Sequence, residues 1–208
     1  LMHYKIETID NLPPPPSTWG YILGFVWRDH AFVRFLYPNW HKVDKDLYRS
    51  AHPSPRRLRI AKRSGIQSVL SLRGKVANTP NVIEWHAAAQ VDLPVEAVRM
   101  RAVCLPCPTT LLHLVTLLRD MPKPMLVHCK SGSDRTGLAV VLYLHVVRGL
   151  PLHEARRALS LRYGHWSFGS AGVVHRLLDA YGSAHVATGI EFEDWVRQNY
   201  DNVAIMED

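Results

Sequence analysis

The chain has 208 residues, 47% hydrophobic and 21% charged, with a formal net charge of +7. That is enough apolar material for one core, and no charge-free apolar run reaches the roughly 18 residues that a membrane-spanning helix needs. Three cysteines without disulfide-like spacing and a start lacking a signal-type apolar stretch predict a cytoplasmic protein, while scattered basic residues not interleaved with aromatics weigh against nucleic acid as a partner.

In chain order, Pro13, Pro14, Pro15 and Pro16 make a stiff, extended leader. The segment from Trp19 to Trp40 then carries eight of the nineteen aromatic residues, interrupted by Arg28, Asp29, His30 and Arg34. Residues 1–40 therefore read as a proline- and aromatic-rich extension packed on or near the core. Residues 41–208 read as one domain without repeats or a linker. A first short strand is predicted at 47–50. Ser54 and Pro55 open a basic helix that runs to Ser64 and stops at Gly65. A buried strand follows at 66–72, a helix at 84–90, and an alternating, strand-like stretch at 98–105. An apolar helix spans 109–120 behind Pro108, and a strand spans 125–127 behind Pro124. The helix predicted at 135–148 ends at Gly149, Leu150 and Pro151, and further helices are predicted at 152–161, 170–181 and 191–200. Strands alternating with helices predict an α/β class and a single domain. A mostly parallel central sheet is flanked by helices, with the ligand at the strand C-terminal ends.

Between the strand at 125–127 and the helix at 135–148 runs His128-Cys129-Lys130-Ser131-Gly132-Ser133-Asp134-Arg135-Thr136-Gly137. A helix N-terminus presents free N–H groups and the positive end of the macrodipole to an anion, and Gly132 lets the backbone curl around it. The same field lowers a cysteine pKa from about 8.5 toward ~3.5–7.5, so Cys129 is expected as a thiolate. Arg135 offers a bidentate fork for two phosphate oxygens. A buried structural cysteine would leave Gly132, Arg135 and Thr136 unexplained.

These residues resemble the signature of the protein tyrosine phosphatase superfamily, His-Cys-x5-Arg-Ser/Thr, at His128, Cys129, Arg135 and Thr136. The order from residues 47–50 through 68–73 to the loop and its helix is similar to the compact, dual-specificity-like bacterial branch, which makes 41–208 a cysteine-based phosphatase domain. The resemblance implies attack by Cys129 on a phosphomonoester, a phosphocysteine intermediate and hydrolysis by water, with no metal and no cofactor. By the same resemblance His128 orients the loop and Thr136 donates its hydroxyl to the sulfur. Lys130 either adds positive charge at the mouth or is an ordinary solvated lysine. Ser131, Gly132 and Ser133 keep the backbone amides accessible to phosphate.

The general acid departs from the family pattern. In most of the superfamily it comes from a movable loop before the preceding helix, yet residues 101–119 contain no Asp or Glu. Asp92, Glu96 and Asp134 remain. Asp92 and Glu96 are expected before the strand at 98–105, at the wrong end for the site. Asp134 is favoured, because Asp-Arg-Thr loops occur in myotubularin-like and Sac-like lipid phosphatases. The other reading makes Asp134 a loop-stabilising acceptor of N–H bonds.

Arg49 and Arg73 follow predicted strands at the site end and are candidates for a second phosphate at the substrate rim, or for surface ion pairs. His165 and Trp166, after a helix, are placed to reach the site rim or to pack in the core or on the surface, and packing is the favoured reading. Cys104 and Cys107 form a Cys-x2-Cys pair with no second ligand pair for zinc. A disulfide with Cys129 could protect the nucleophile, against two ordinary buried thiols. The segment from Trp19 to Trp40 reads either as a cap on the core or as a peripheral membrane contact on an anionic surface. Two functions stay open: a phosphomonoesterase acting on phosphotyrosine, phosphoserine/threonine or phosphoinositide-type substrates, so that the partner is a phosphorylated protein, a phospholipid or an inositol phosphate, and a catalytically weak phosphate-recognition module.

Overall fold

The computed structural model describes residues 14, 17, 38–101, 104–166 and 172–207. Apart from Pro14, the proline leader lies outside the described residues, as do the aromatic segment from Trp19 up to residue 37 and the membrane contact assigned to it. The chain forms two compact units, Leu1–Val98 with Met121–Gly132, and Arg99–Asp120 with Ser133–Asp208. Neither unit is continuous in sequence.

The first unit holds the whole sheet. Its strands are β1 (His41–Lys42), β2 (Leu47–Ser50), β3 (Ser68–Ser71), β4 (Val95–Ala97) and β5 (Met125–His128), in the spatial order β1-β2-β5-β3-β4. Only β1 runs antiparallel, so the expected α/β fold with a mostly parallel central sheet is borne out. Ser50, His128 and Ser71 are aligned across β2, β5 and β3, and Ala97 of β4 is aligned with Ser71. Four parallel strands therefore end at one level, and the loop at 128–137 leaves from β5, between two neighbours. Every residue of β5 is buried, as expected of a strand enclosed on both faces.

Helix α1 (Pro55–Arg63) starts where Ser54 accepts a hydrogen bond from Arg57 N–H and Pro55 takes the first position. It stops before Gly65, which holds φ +86°. Helix α2 (Thr79–Ala89) begins earlier than the predicted 84, because Asn78 caps it through the Asn81 N–H at 3.1 Å. Leu58 and Ala61 of α1 and Val82, Trp85, Ala87 and Ala88 of α2 pack with Val69, Val95 and Leu126 of the sheet into one buried cluster.

Among the described residues of 98–105 the expected strand is not formed. The paired residues are Val95–Ala97, and the described residues that follow carry no ladder beyond an isolated bridge at Arg99. Alternation holds over residues 98–101, where Val98 and Met100 are buried while Arg99 and Arg101 are exposed, and Leu105 is buried out of that phase. Alternating burial marks extended chain, and strand pairing is a separate condition.

In the second unit, α3 (Pro108–Asp120) matches its predicted span. Helix α4 (Asp134–Leu142) widens into a π turn at Tyr143–Val147, closed by Arg148 N–H on the Tyr143 carbonyl at 3.0 Å. A Cβ on Gly137 would meet Leu159 Cδ2 at 2.5 Å, so glycine permits that helix to pack closely there. The single helix expected at 152–161 is instead a short α5 (Leu152–Ala155) followed by 3-10 turns at Arg156–Ala158 and Leu161–Tyr163. Helices α6 (Gly172–Thr188), α7 (Phe192–Gln198) and α8 (Ala204–Glu207) complete the unit. Tyr181, Phe192, Trp195 and Tyr200 form its aromatic centre, and the Tyr200 hydroxyl donates to the Pro106 carbonyl at 2.7 Å.

Candidate active site

The loop's first half belongs to the sheet-bearing unit, and its carbonyls are held from outside. His52 N–H donates to Lys130 O at 3.2 Å, Asn39 Nδ2 to Ser131 O at 3.1 Å and Arg49 Nη2 to Gly132 O at 2.8 Å. In a planar trans peptide the C=O and the following N–H point opposite ways. Anchoring three successive carbonyls outward therefore turns the N–H groups of residues 131, 132 and 133 toward the inside of the curl. One of them reports this directly: Gly132 N–H donates to Cys129 Sγ at 3.2 Å, a contact that favours sulfur as an anion.

Gly132 is required by both backbone angle and space. It sits at φ +77°, and a Cβ there would lie 2.6 Å from backbone atoms of Ser50 and Ala51. Cys129 itself is buried, Lys130 is half-buried and Ser131 is exposed.

Next to Cys129, the His128 ring is fully buried, with Nδ1 3.1 Å from Cys129 O and Nε2 2.5 Å from Glu84 Oε1 on α2. Both ring nitrogens thus face oxygen. His52 Nδ1 lies 3.7 Å from Glu84 Oε2, and its ring meets that of His128 edge-on at 5.2 Å. The expectation that His128 orients the loop fits these contacts. Among the described residues His52, Glu84 and His128 also form the one group able to offer three ligand atoms to a metal ion, all within 4.8 Å of one another. Glu84 and His128 of that group already hydrogen-bond to each other through Oε1 and Nε2.

The loop's second half opens α4 in the other unit. The first helical bond is Gly137 N–H to Ser133 O at 2.6 Å, so the N–H groups of 134–136 have no partner within the helix. Arg135 Nη1 donates to Met100 O at 3.1 Å, which fixes the plane of the guanidinium. Thr136 Oγ1 is buried without a hydrogen-bond partner among the described residues, so the expected hydroxyl contact to sulfur is not made here.

Asp134 is bound tightly. His165 Nδ1 lies 2.6 Å from its Oδ1 and the Ser133 hydroxyl 2.9 Å from the same oxygen, while Ser133 Oγ is also 2.7 Å from Gly164 O. Burial pushes the Asp134 carboxyl pKa up, but the hydrogen bonds from His165 and Ser133, with the electrostatic effects of His165 and the Arg135 charge, outweigh it and hold it below the usual carboxylate value. Reading His165 as a packing residue is thus corrected: it is 3% exposed and grips a loop carboxylate. Its signal in the sequence was a histidine beside Gly164 after a short helical run, with nothing local to identify its partner.

Arg49 is corrected as well. At 1% exposure it is neither a rim residue nor a surface residue, and its Nη2 donates to Gly132 O under the loop. Arg73 is half-buried two residues past β3. Glu96 lies inside β4, not before its strand, with 7% exposure, and Asp92 occupies the exposed turn after α2. Cys107 is exposed and Cys104 half-buried, so they are not two buried thiols. Hydrogen bonds from Thr109 and Thr110 lower the Cys107 pKa. Sequence reasoning missed Glu84, His52 and Asn39 altogether. Glu84 had a signal, as the lone acid in the apolar stretch 79–89.

A family model described as tyrosine phosphatase family matches residues 41–151. The dual specificity protein phosphatase TpbA of Pseudomonas aeruginosa is 27% identical over 130 residues, covering 59% of this chain and 54% of that protein. The chain therefore spans about half the length of the curated relatives it matches. Among solved structures, P. aeruginosa TpbA is similar with a TM-score of 0.55 at 22% identity, covering 73% of this chain and 92% of that one. The active form of Tk-PTP follows at 0.53 and 21%, covering 69% and 98%, and PTPMT1 at 0.51 and 17%, covering 71% and 98%. At these identities the structural likeness speaks for the fold alone.

Proposed function

The chain belongs to the tyrosine phosphatase family, and on that premise we propose that it is a cysteine-dependent phosphomonoester hydrolase. The observation that carries the reading is the outward anchoring of Lys130, Ser131 and Gly132 carbonyls, which leaves a ring of N–H donors and a sulfur already engaged by one of them. An array of this kind is complementary to a phosphoryl group whose charge grows in the transition state.

In the proposed reaction the Cys129 thiolate attacks phosphorus, the S–P bond forms and the P–O bond to the alcohol or phenol breaks. Arg135 grips two of the transferring oxygens. Water then attacks phosphorus, the S–P bond breaks, and phosphate and thiolate are released. Asp134, the loop's own carboxylate, is the group we place at the proton transfers, giving a proton to the leaving oxygen when protonated and taking one from the attacking water when ionised. His128, Lys130, Ser131 and Ser133 shape and charge the same loop, and Arg73 remains the proposed rim contact.

For substrates we propose phosphotyrosine-type, phosphoserine/threonine or phosphoinositide-type monoesters. The crystal structure of a serine variant of P. aeruginosa TpbA in complex with pTyr supports the first of these by likeness. Parallel turnover assays on phosphotyrosine peptide, phosphoserine peptide and a phosphoinositide, each with Cys129→Ser as control, test the proposal. Hydrolysis of at least one ester that disappears in the variant, while vanadate still binds, is expected. Phosphate binding without turnover of any ester would make the protein a recognition module instead.

A further inference from the structure

The contacts behind Asp134 form a chain whose proton positions can be worked out. Arg156 Nη1 lies 2.5 Å from Asp179 Oδ1, and Arg156 Nη2 lies 3.4 Å from His175 Nδ1. His175 Nε2 is 2.9 Å from His165 Nε2, and His165 Nδ1 is 2.6 Å from Asp134 Oδ1. A guanidinium only donates, so His175 Nδ1 accepts. Neutral His175 then carries its proton on Nε2 and donates to His165 Nε2. His165 in turn carries its proton on Nδ1 and donates to Asp134. One cation at the far end thus selects both imidazole tautomers, and every contact is satisfied with the histidines neutral and Asp134 ionised.

An added proton fits poorly. On His165 Nε2 it would face the N–H of His175 across 2.9 Å, and on His175 Nδ1 it would face Arg156. Burial, then the electrostatic effects of His165 and of the Arg156 charge, accordingly hold His175 below the usual histidine pKa, with Asp179 opposing. Among the described residues the charged and titratable groups around Asp134 are therefore Arg135 in its own loop and His165, backed by His175, Arg156 and Asp179.

We propose that His165 is a specificity-determining, positioning residue, which holds Asp134 as a carboxylate and thereby makes the enzyme select esters with acidic, aryl-type leaving groups over alkyl ones. This rests on the reading that places Asp134 at the proton transfers. A phenolate leaves from phosphorus without much help, whereas an alkoxide needs its proton in the transition state. A carboxylate kept ionised is a ready base for the water that cleaves phosphocysteine and a poor acid for the step that forms it.

The test is the ratio of kcat/KM for an alkyl phosphate to that for an aryl phosphate, because kcat/KM reports the phosphocysteine-forming step whichever step limits kcat. Releasing Asp134 with His165→Ala should raise this ratio about tenfold or more, against the ~10²–10⁴-fold that general acid help is typically worth. His165→Asn, whose amide N–H can replace Nδ1–H, should restore the original ratio. Asp134→Asn should lower it. An unchanged or lower ratio in His165→Ala, with vanadate binding intact, overturns the inference and leaves the Asp134 reading standing if Asp134→Asn still lowers the ratio. If Asp134→Asn changes neither substrate relative to the other, the Asp134 reading falls and this inference with it. Should His165→Ala fail to fold, the unaltered protein decides. Acidification protonates Cys129 equally for both substrates, so the ratio must rise as pH falls toward the carboxylate range, and a flat ratio overturns the inference.

Discussion

Arg49 and Gly132 are joined by a hydrogen bond from a guanidinium with 1% exposure to a loop carbonyl, 2.8 Å long and spanning 83 positions of sequence. A strand residue on β2 thereby sets the direction of a peptide plane far from it in the chain, and that plane carries the Ser133 N–H of the loop.

Arg49→Met should therefore weaken both folding and anion binding. A charge-assisted hydrogen bond is worth about 1.5–3 kcal/mol, so an urea unfolding free energy lower by about 2 kcal/mol is expected, with vanadate affinity reduced in parallel. A rim residue would behave differently, with unaltered stability and a higher KM confined to multiply charged substrates.

Gly132→Ala should be more damaging. A non-glycine residue in the left-handed region costs roughly 1–2 kcal/mol, and here the added methyl also lies 2.6 Å from the Ser50 and Ala51 backbone, which has no side-chain freedom to yield. Loss of vanadate binding with a folded circular-dichroism spectrum is expected. Retained turnover would show that the loop can adopt another curl.

The pH dependence of stability should carry a His175 component. Its pKa in the folded protein is depressed below the ordinary value near 6.5, by burial first and by the electrostatic effects of His165 and the Arg156 charge next. As pH falls the unfolded chain takes up that proton before the folded one, so stability is full above about pH 6.5 and declines as pH drops through the folded value. Urea midpoints between pH 7.5 and 5 for the unaltered protein and for His175→Gln should diverge at the high end and converge at the low end. Parallel curves would mean that His175 titrates alike in both states.

The parts of the site that could be read from sequence are those made by neighbours in the chain. Cys129 and Arg135 lie six positions apart on one loop, with Gly132 between them and a strand and a helix on either side, and the spacing alone limits what the loop can hold. Helix α1 was legible for the same reason, since Ser54, Pro55 and Gly65 act on their own backbone. Residues 98–105 misled because the alternation of Val98 and Met100 with Arg99 and Arg101 records which side chains are buried, whereas pairing in β4 depends on how β3 presents its free edge. Helix 152–161 broke because apolar and basic residues at helical density do not show where a turn will be taken by other contacts, here Leu159 against α4.

The chain order by itself determined the chemistry on offer: a thiol, a fork of N–H donors and a carboxylate, placed within seven consecutive residues between a strand and a helix. Only the tertiary structure decided how that chemistry is tuned. Arg49, Asn39 and His52 fix the loop's carbonyls, Glu84 engages His128, and His165 keeps Asp134 ionised, each across 31 positions of sequence or more. Hydrogen bonds act over about 3 Å whatever the separation along the chain, so their partners are chosen by the packing of strands and helices and leave no local pattern in the sequence.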